Sequence, residues 1–346
     1  MKNLIFICCI LIILFKTGNV FSDNNIFNVN NVEISKEISS NKEKLANEAF
    51  KKGFKELINR LLLKEDYKKI STTNLDQIKR LVSYYQIKDK EDEADNNNIK
   101  FNIFFDRDKI HNFFYKENIL YSDIINMDMI IFPLLISDKQ YFIYTKNYFY
   151  ENWVKDVSED LIQYTLPTEN IESIQKIKLN RDNIYKIDLQ DFFQEYNLEN
   201  MAFATINKNK NSAKVLLNTK IGGKKLIKNL LITNPSLNEK QFNEKIILEI
   251  KNVIRDLIKS QNLIDVRTPS FLNAEIKLNN KSNLVEFNDR LKKVDLIDNF
   301  YVQQLNKDYV LVKIKYLGKI NKIIKKLKDQ DIHLNMKEGQ WQINII

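Results

Sequence analysis

The side chains of this sequence that could do chemistry are few, and their spacing argues against most of it. His111 and His333 are the only imidazoles. They lie far apart, so no local Cys/His spacing can hold a zinc ion. A Ser-His-Asp arrangement around either one needs partners that spacing does not identify. His111 falls between Ile110 and Phe113 in a short helical pattern, and His333 alternates with Ile332 and Leu334. Both read as ordinary surface or half-buried histidines. Glu91-Asp92-Glu93 with Asp95 could suggest a calcium loop, but the one-apart ligands and central glycine of that motif are missing. A solvated loop over 88–98 is expected instead. Glu159 and Asp160 could serve a glycosidase, yet neighbours on a helix diverge by about 100° and rarely share a target. Gly222-Gly223-Lys224-Lys225 lacks both the earlier glycine and the following Ser or Thr of a phosphate loop, and fits a tight hairpin turn. Trp153 and Trp341 read as core residues rather than a sugar platform. No catalytic residue, cofactor-binding residue or metal ligand is assigned.

The cations offer more. The chain has 346 residues and a net charge of +9, with seven Arg among its 54 basic residues. Readers of bases and phosphates favour the planar Arg fork, which a lysine-dominated chain lacks, so nucleic acid is not expected as a partner. One lysine cluster stands out. In Gly318 to Lys328 the side chains of Ile320, Ile323, Ile324 and Leu327 share one helical face. Lys322, Lys325 and Lys326, with Lys319 and Lys328, project elsewhere, and no acid occurs before Asp329. Lys313 and Lys315 on the adjoining strand could extend the patch. Such a field attracts anionic lipid headgroups or an acidic protein.

Elements that position these residues follow from periodicity. Leu4 to Phe15 is almost purely apolar after a Lys2 start, too short to span a bilayer and suited to a signal peptide cleaved after Ser22. An uncleaved anchor is the alternative. Cys8 and Cys9 lie inside this run, so the mature protein would carry no thiol and no disulfide. A strand is expected near 27–38, a helix from a Ser39 or Ser40 cap to about Leu63, and a second helix from Leu75 to Tyr85. Gly53 inside the first would mark a close packing contact. Strands follow at 101–105, 129–136 and 141–144, with Asp106 capping a helix over 109–116. Residues 148–166 read as mostly helix and 183–196 as helix. Strands at 201–207, 213–221 and 226–233 lead to a long amphipathic helix over 239–260. The last section reads β-α-β-β-α-β, the order of a ferredoxin-like split βαβ sandwich. The expected organisation is α/β, or α+β, with a signal peptide at 1–22 and small domains in series at 23–150, 151–262 and 263–346.

Three places carry a family resemblance. They are the helix from Leu45 through Gly53-Phe54 to Leu61, the segment Phe104-Phe105-Asp106 followed by the apolar strand 129–136, and the close formed by Tyr316-Leu317-Gly318 with Gly339-Gln340-Trp341. In these the chain resembles an exported proteobacterial family known as the domain of unknown function numbered twenty sixty-six. That family's opening block carries a Thr-Gly pair where this chain has Leu62-Leu63-Lys64-Glu65-Asp66. The resemblance implies export and supplies no catalytic residue. The resulting expectation is a non-catalytic module at the periplasm or outer face of the inner membrane, binding an envelope protein or an anionic membrane surface. The alternative is a periplasmic hydrolase whose carboxylates are assembled by the fold.

Overall fold

The computed structural model describes residues 25–39, 41–88, 97–124, 126–154, 161–277, 283–337 and 339–345. The expected cleavage site at Ser22 and the carboxylates Glu91, Asp92, Glu93, Asp95, Glu159 and Asp160 lie outside them. The described chain is mixed α/β and divides into two compact units that alternate along the sequence. One gathers the described residues up to Leu57 with Thr72–Asn118 and Val266–Ile346; the other gathers Ile58–Ser71 with Ile119–Asp265. The boundary expected at residue 150 falls inside the second unit, because a parallel strand pair bridges it.

In the first unit β1 (Asn28–Ser35) carries a bulge at Asn30-Asn31. Asn31 has φ of 58°, a left-handed conformation that asparagine tolerates, and its N–H donates to Asn102 Oδ1 at 3.0 Å. Helix α1 (Lys42–Leu61) begins later than expected: Asn41, not Ser39 or Ser40, caps it, its Oδ1 accepting from Glu43 N at 2.7 Å. The apolar stripe Leu45, Ala49, Phe54 and Leu57 is buried as its spacing requires. Gly53 is indeed a contact point, since a Cβ there would lie 2.5 Å from Ile103 Cδ1. Past the short helix α2 (Lys64–Ile70), which belongs to the second unit, α3 (Leu75–Leu81) ends before Tyr85. The helical spacing of Ile78, Leu81, Val82 and Tyr85 misled: Val82–Lys88 is β2, paired with β3 (Asn98–Phe105), where Tyr84 stacks on Phe104 at 4.2 Å. The sheet order is β1-β3-β2. Asp106 then caps α4 (Arg107–Glu117) through Lys109 N at 3.0 Å.

The second unit is built on a twisted sheet. Its elements are β4 (Tyr121–Ser122), β5 (Met127–Ser137), β6 (Gln140–Phe142), α5 (Tyr148–Asn152) and β7 (Ile162–Thr165). There follow α6 (Ile171–Leu179), α7 (Leu189–Phe192), β8 (Met201–Lys208), β9 (Ser212–Ile221), β10 (Lys224–Thr233), α8 (Glu239–Gln261) and β11 (Leu263–Ile264). Among the described residues the order is β10-β9-β8-β5-β6, with β7 also on β5. β5 is continuously apolar from Met129 to Ile136 because both of its faces are covered there. Met129 and Ile131 pack in a core with Ile246, Ile250 and Ile254 of α8; Ile130 and Phe132 pack in another with Phe192 and Phe193. Among the described residues of 148–166 helix is confined to one short turn, α5, and β7 pairs parallel with Met127–Ile130 of β5. Over 183–196 the expected helix is replaced by a 3-10 segment with a non-helical Asn183 and the four-residue α7.

Pro133 sits in mid-sheet, where its missing N–H should break a ladder. It is tolerated because β8 pairs along one side of β5, while β7 and β6 pair the other side only at its two ends. The gap is closed by Asn147, fully buried, whose Nδ2 lies 2.7 Å from Pro133 O and 2.9 Å from the carbonyl oxygens of Phe142 and Ile143. Its Oδ1 accepts from Phe149 N and Tyr150 N and so caps α5. One amide side chain thus replaces the strand that the proline excludes.

The last section returns to the first unit with β12 (Ser270–Lys277), α9 (Asn283–Leu291), β13 (Ile297–Leu305), β14 (Tyr309–Tyr316), α10 (Ile320–Lys328), β15 (Ile332–Lys337) and β16 (Gln340–Ile345). The expected strand and helix order is present, with one addition. The sheet runs β13-β14-β12-β16-β15, so β16 occupies the place beside β12 that a four-stranded split βαβ sandwich gives to its last crossover strand. β16 is parallel to β12 and antiparallel to β15.

Candidate binding surfaces

A polar cleft of about 930 Å³ lies at the carboxyl ends of the parallel strands β5 and β8, beside the first turn of α8. This is where open α/β sheets commonly hold ligands. Its walls come from the β5–β6 turn (Asp138), the β8–β9 turn (Lys208 to Ser212) and the approach to α8 (Asn234, Glu239). Local chemistry explains the shape. Asn209 Oδ1 accepts from Asn211 N and Ser212 N, closing the β8–β9 turn, and Asn234 Nδ2 donates to Lys210 O. Lys208, mostly buried, donates to Glu239 Oε1 at 2.9 Å and to Asn243 Oδ1 at 2.8 Å. That hydrogen bond holds the Glu239 carboxyl below its ordinary range. Two of the cleft's four charged side chains, Lys208 and Glu239, are therefore spent on each other, and they fasten α8 to the end of β8. Sequence reasoning did not single out these residues. The signal was available in the Asn207-Lys208-Asn209-Lys210-Asn211 turn and the Asn238/Gln241 capping box.

The titratable groups with altered protonation are equally occupied. His111 packs its ring edge-on to Phe27 at 5.5 Å. Burial, and secondarily the Arg107 cation, push its pKa down to about 4, against the opposing pull of Asp108 and Asp298. A neutral, apolar-packed imidazole fits a structural role. His333 is half-buried on β15, opposite Asn344. Asp256 on α8 is held above the usual carboxylate range by burial, while Lys259 and Lys64 oppose the shift. Trp153 is fully buried and meets Tyr164 edge-on at 6.0 Å, as a core residue does. Among the described residues no cluster of three or more His, Cys, Asp or Glu could hold a metal ion.

The predicted lysine cluster is placed on α10 as its spacing requires, with Ile323 and Leu327 fully buried. Its members differ, however. Lys325 is exposed, as are Lys319 and Lys328, whereas Lys322 and Lys326 are half-buried and engaged with other residues of the chain. The expected extension through Lys313 and Lys315 does not form. Strand alternation puts both on the face of β14 opposite the buried Val312 and Ile314. Lys313 lies over the Phe271 ring at 4.5 Å, and Lys315 pairs with Asp298, which raises the lysine's pKa. The glycine pair is the turn of a two-residue hairpin: Gly222 and Gly223 have φ of 54° and 79°, and Lys224 pairs with Ile221.

Comparison with known proteins adds no relative: no family model, no curated protein and no solved structure matches this chain.

Proposed function

We propose that this chain is an exported, non-catalytic module of a bacterial envelope that docks on an anionic membrane surface through α10. The reading is carried by one observation: a helix whose buried stripe anchors it to its own sheet, whose exposed positions include Lys325 and Lys328, and which contains no acidic residue. Lys319 at its N-cap adds a third exposed cation. The apolar run Leu4 to Phe15, which reads as a signal peptide to be cleaved after Ser22, supports export and delivery to such a surface.

The test is sedimentation of the full mature chain with vesicles of phosphatidylglycerol and phosphatidylcholine at low salt. Binding should require the anionic lipid and fade as salt shortens the Debye length. Each lysine near a charged bilayer contributes about 1 kcal/mol, so replacing Lys319, Lys325 and Lys328 with Gln should weaken binding by more than about tenfold. The buried stripe is untouched, and the melting temperature should hold. Equal binding by the variant would remove α10 from the proposal.

A further inference from the structure

The six-stranded sheet ends in β10, ten residues long and paired only with β9 among the described residues. The hairpin is two-residue, so residues alternate between pairing with β9 and pointing their N–H and C=O outward. The register from Lys224↔Ile221 makes Lys225, Ile227, Asn229 and Leu231 the outward set. All four are exposed, Ile227 at 52% and Leu231 at 66%. Their side chains share the face of β9 that carries Lys214, Leu216, Asn218 and Lys220, whereas Leu226, Leu230 and Ile232 turn to the core under α8. An edge this long, with unpaired backbone groups and exposed aliphatic side chains, is a template for another strand.

Charge decides which strand. The hairpin from Ser212 to Thr233 carries Lys214, Lys220, Lys224, Lys225 and Lys228 and no Asp, Glu or Arg. None of these five lysines has an ion pair among the described residues. A second copy laid edge to edge would bring one five-lysine field against another, and like charges brought together repel. An acidic strand meets the opposite field. We infer that β10 is a strand-addition site for an extended acidic segment of another protein, in which carboxylates face Lys225 and Lys220 while aliphatic side chains cover Ile227 and Leu231. Backbone pairing supplies the affinity and the alternating pockets supply selectivity. This site is independent of α10 and of the vesicle test.

The probe is a fluorescent peptide long enough to span β10, with Glu at the positions opposite Lys225 and Lys228, Val opposite Ile227 and Leu231 and Thr elsewhere, titrated with the full mature chain and read by anisotropy. Asn229→Pro deletes one outward N–H without touching the β9 ladder, a position where an edge strand accepts proline. It should keep the melting temperature within a few degrees and weaken the peptide about tenfold or more. Lys225→Glu, a surface change that cannot unfold the sheet, should weaken it comparably and reduce its salt dependence. The same peptide with Lys in place of each Glu should not bind. If Asn229→Pro binds like wild type while Lys225→Glu does not, the hairpin is only an electrostatic surface and strand addition is overturned. If sedimentation shows a wild-type dimer that Asn229→Pro abolishes, the occupant is a second copy and the acidic partner is overturned.

Discussion

Helices α8 and α10 use the same residue in opposite ways. α8 is long, begins in a capping box and buries Ile246, Ile250, Ile254 and Ile258. Near its end Lys259 is only 2% exposed, and its ammonium lies 2.6 Å from both Asn59 O and Leu62 O. Those oxygens belong to the closing turn of α1, whose last carbonyls have no partner within that helix. A cation there meets the negative end of the helix dipole as well as two strong acceptors, which offsets much of its desolvation. α10 is short, has no side-chain cap, and leaves Lys325 and Lys328 in water. The difference teaches that a net charge of +9 is not a measure of binding capacity. One lysine acts as a structural bolt; only those left in solvent are available to a partner.

The comparison breaks first at Lys259. Replacing it with Met keeps the apolar stem and leaves two carbonyls without their donor. Charge-assisted hydrogen bonds of this kind are worth about 1.5–3 kcal/mol each way of counting, so Lys259→Met should cost about 3 kcal/mol in urea unfolding. Lys325→Met should change stability by less than about 0.5 kcal/mol. Similar losses for the two variants would erase the distinction between bolt and surface charge.

Asn147 tests whether the principle extends to an uncharged group. Asn147→Ala strands Pro133 O and removes the α5 cap, two of the mechanisms that make single substitutions costly. The expected loss is about 2 kcal/mol, read as a shifted urea midpoint with an unchanged slope. An unaltered midpoint would mean that the gap beside β5 closes without this side chain.

The extent to which these features could be read from sequence depends on where the partners lie. β12 and β14 alternate cleanly, and α8 and α10 repeat apolar residues at 3-4 spacing, so local pattern and tertiary packing agree and these elements are legible. Between 139 and 200 they disagree. β7 is a strand because β5 lies beside it, and residues 183–196 curl into short turns because Asn183 leaves the helical region. No local period encodes either. The bolts are the hardest to see: Lys259 and Asn59 are 200 positions apart, and nothing near Lys259 distinguishes it from Lys240, Lys245 and Lys251 of its own helix. On α10 the exposed flank was legible from the helical period. The isolation of Lys313 and Lys315 was also implied by the strand period, once each was placed on the sheet.

His111 sharpens the comparison at its smallest scale, as a half-buried base whose surroundings refuse the charge that Lys259 is given. Its surroundings include the Phe27 ring and the Arg107 cation, which opposes a second positive charge, whereas Lys259 meets the carbonyl oxygens of Asn59 and Leu62. The folded pKa is about 4, against 6.5 for a free imidazole. Above pH of about 6.5 neither state binds the proton, and stability is full. As the pH falls from there to about 4, the unfolded chain takes up a proton that the folded chain declines, and stability is lost; below about 4 the loss is complete and constant. Solvent contact of the half-buried ring limits the effect to the order of 1 kcal/mol. Carboxylates titrate in the same range, so the measurement is a difference: urea midpoints of wild type and His111→Phe at pH values from 7 down to 4. Phenylalanine preserves the edge-on contact with Phe27 and cannot bind a proton. The two curves should converge or diverge by that amount across the window, with the wild type losing more. Parallel curves would show that the imidazole is protonated as readily in the folded chain as in the unfolded one, and that its burial imposes no electrostatic cost.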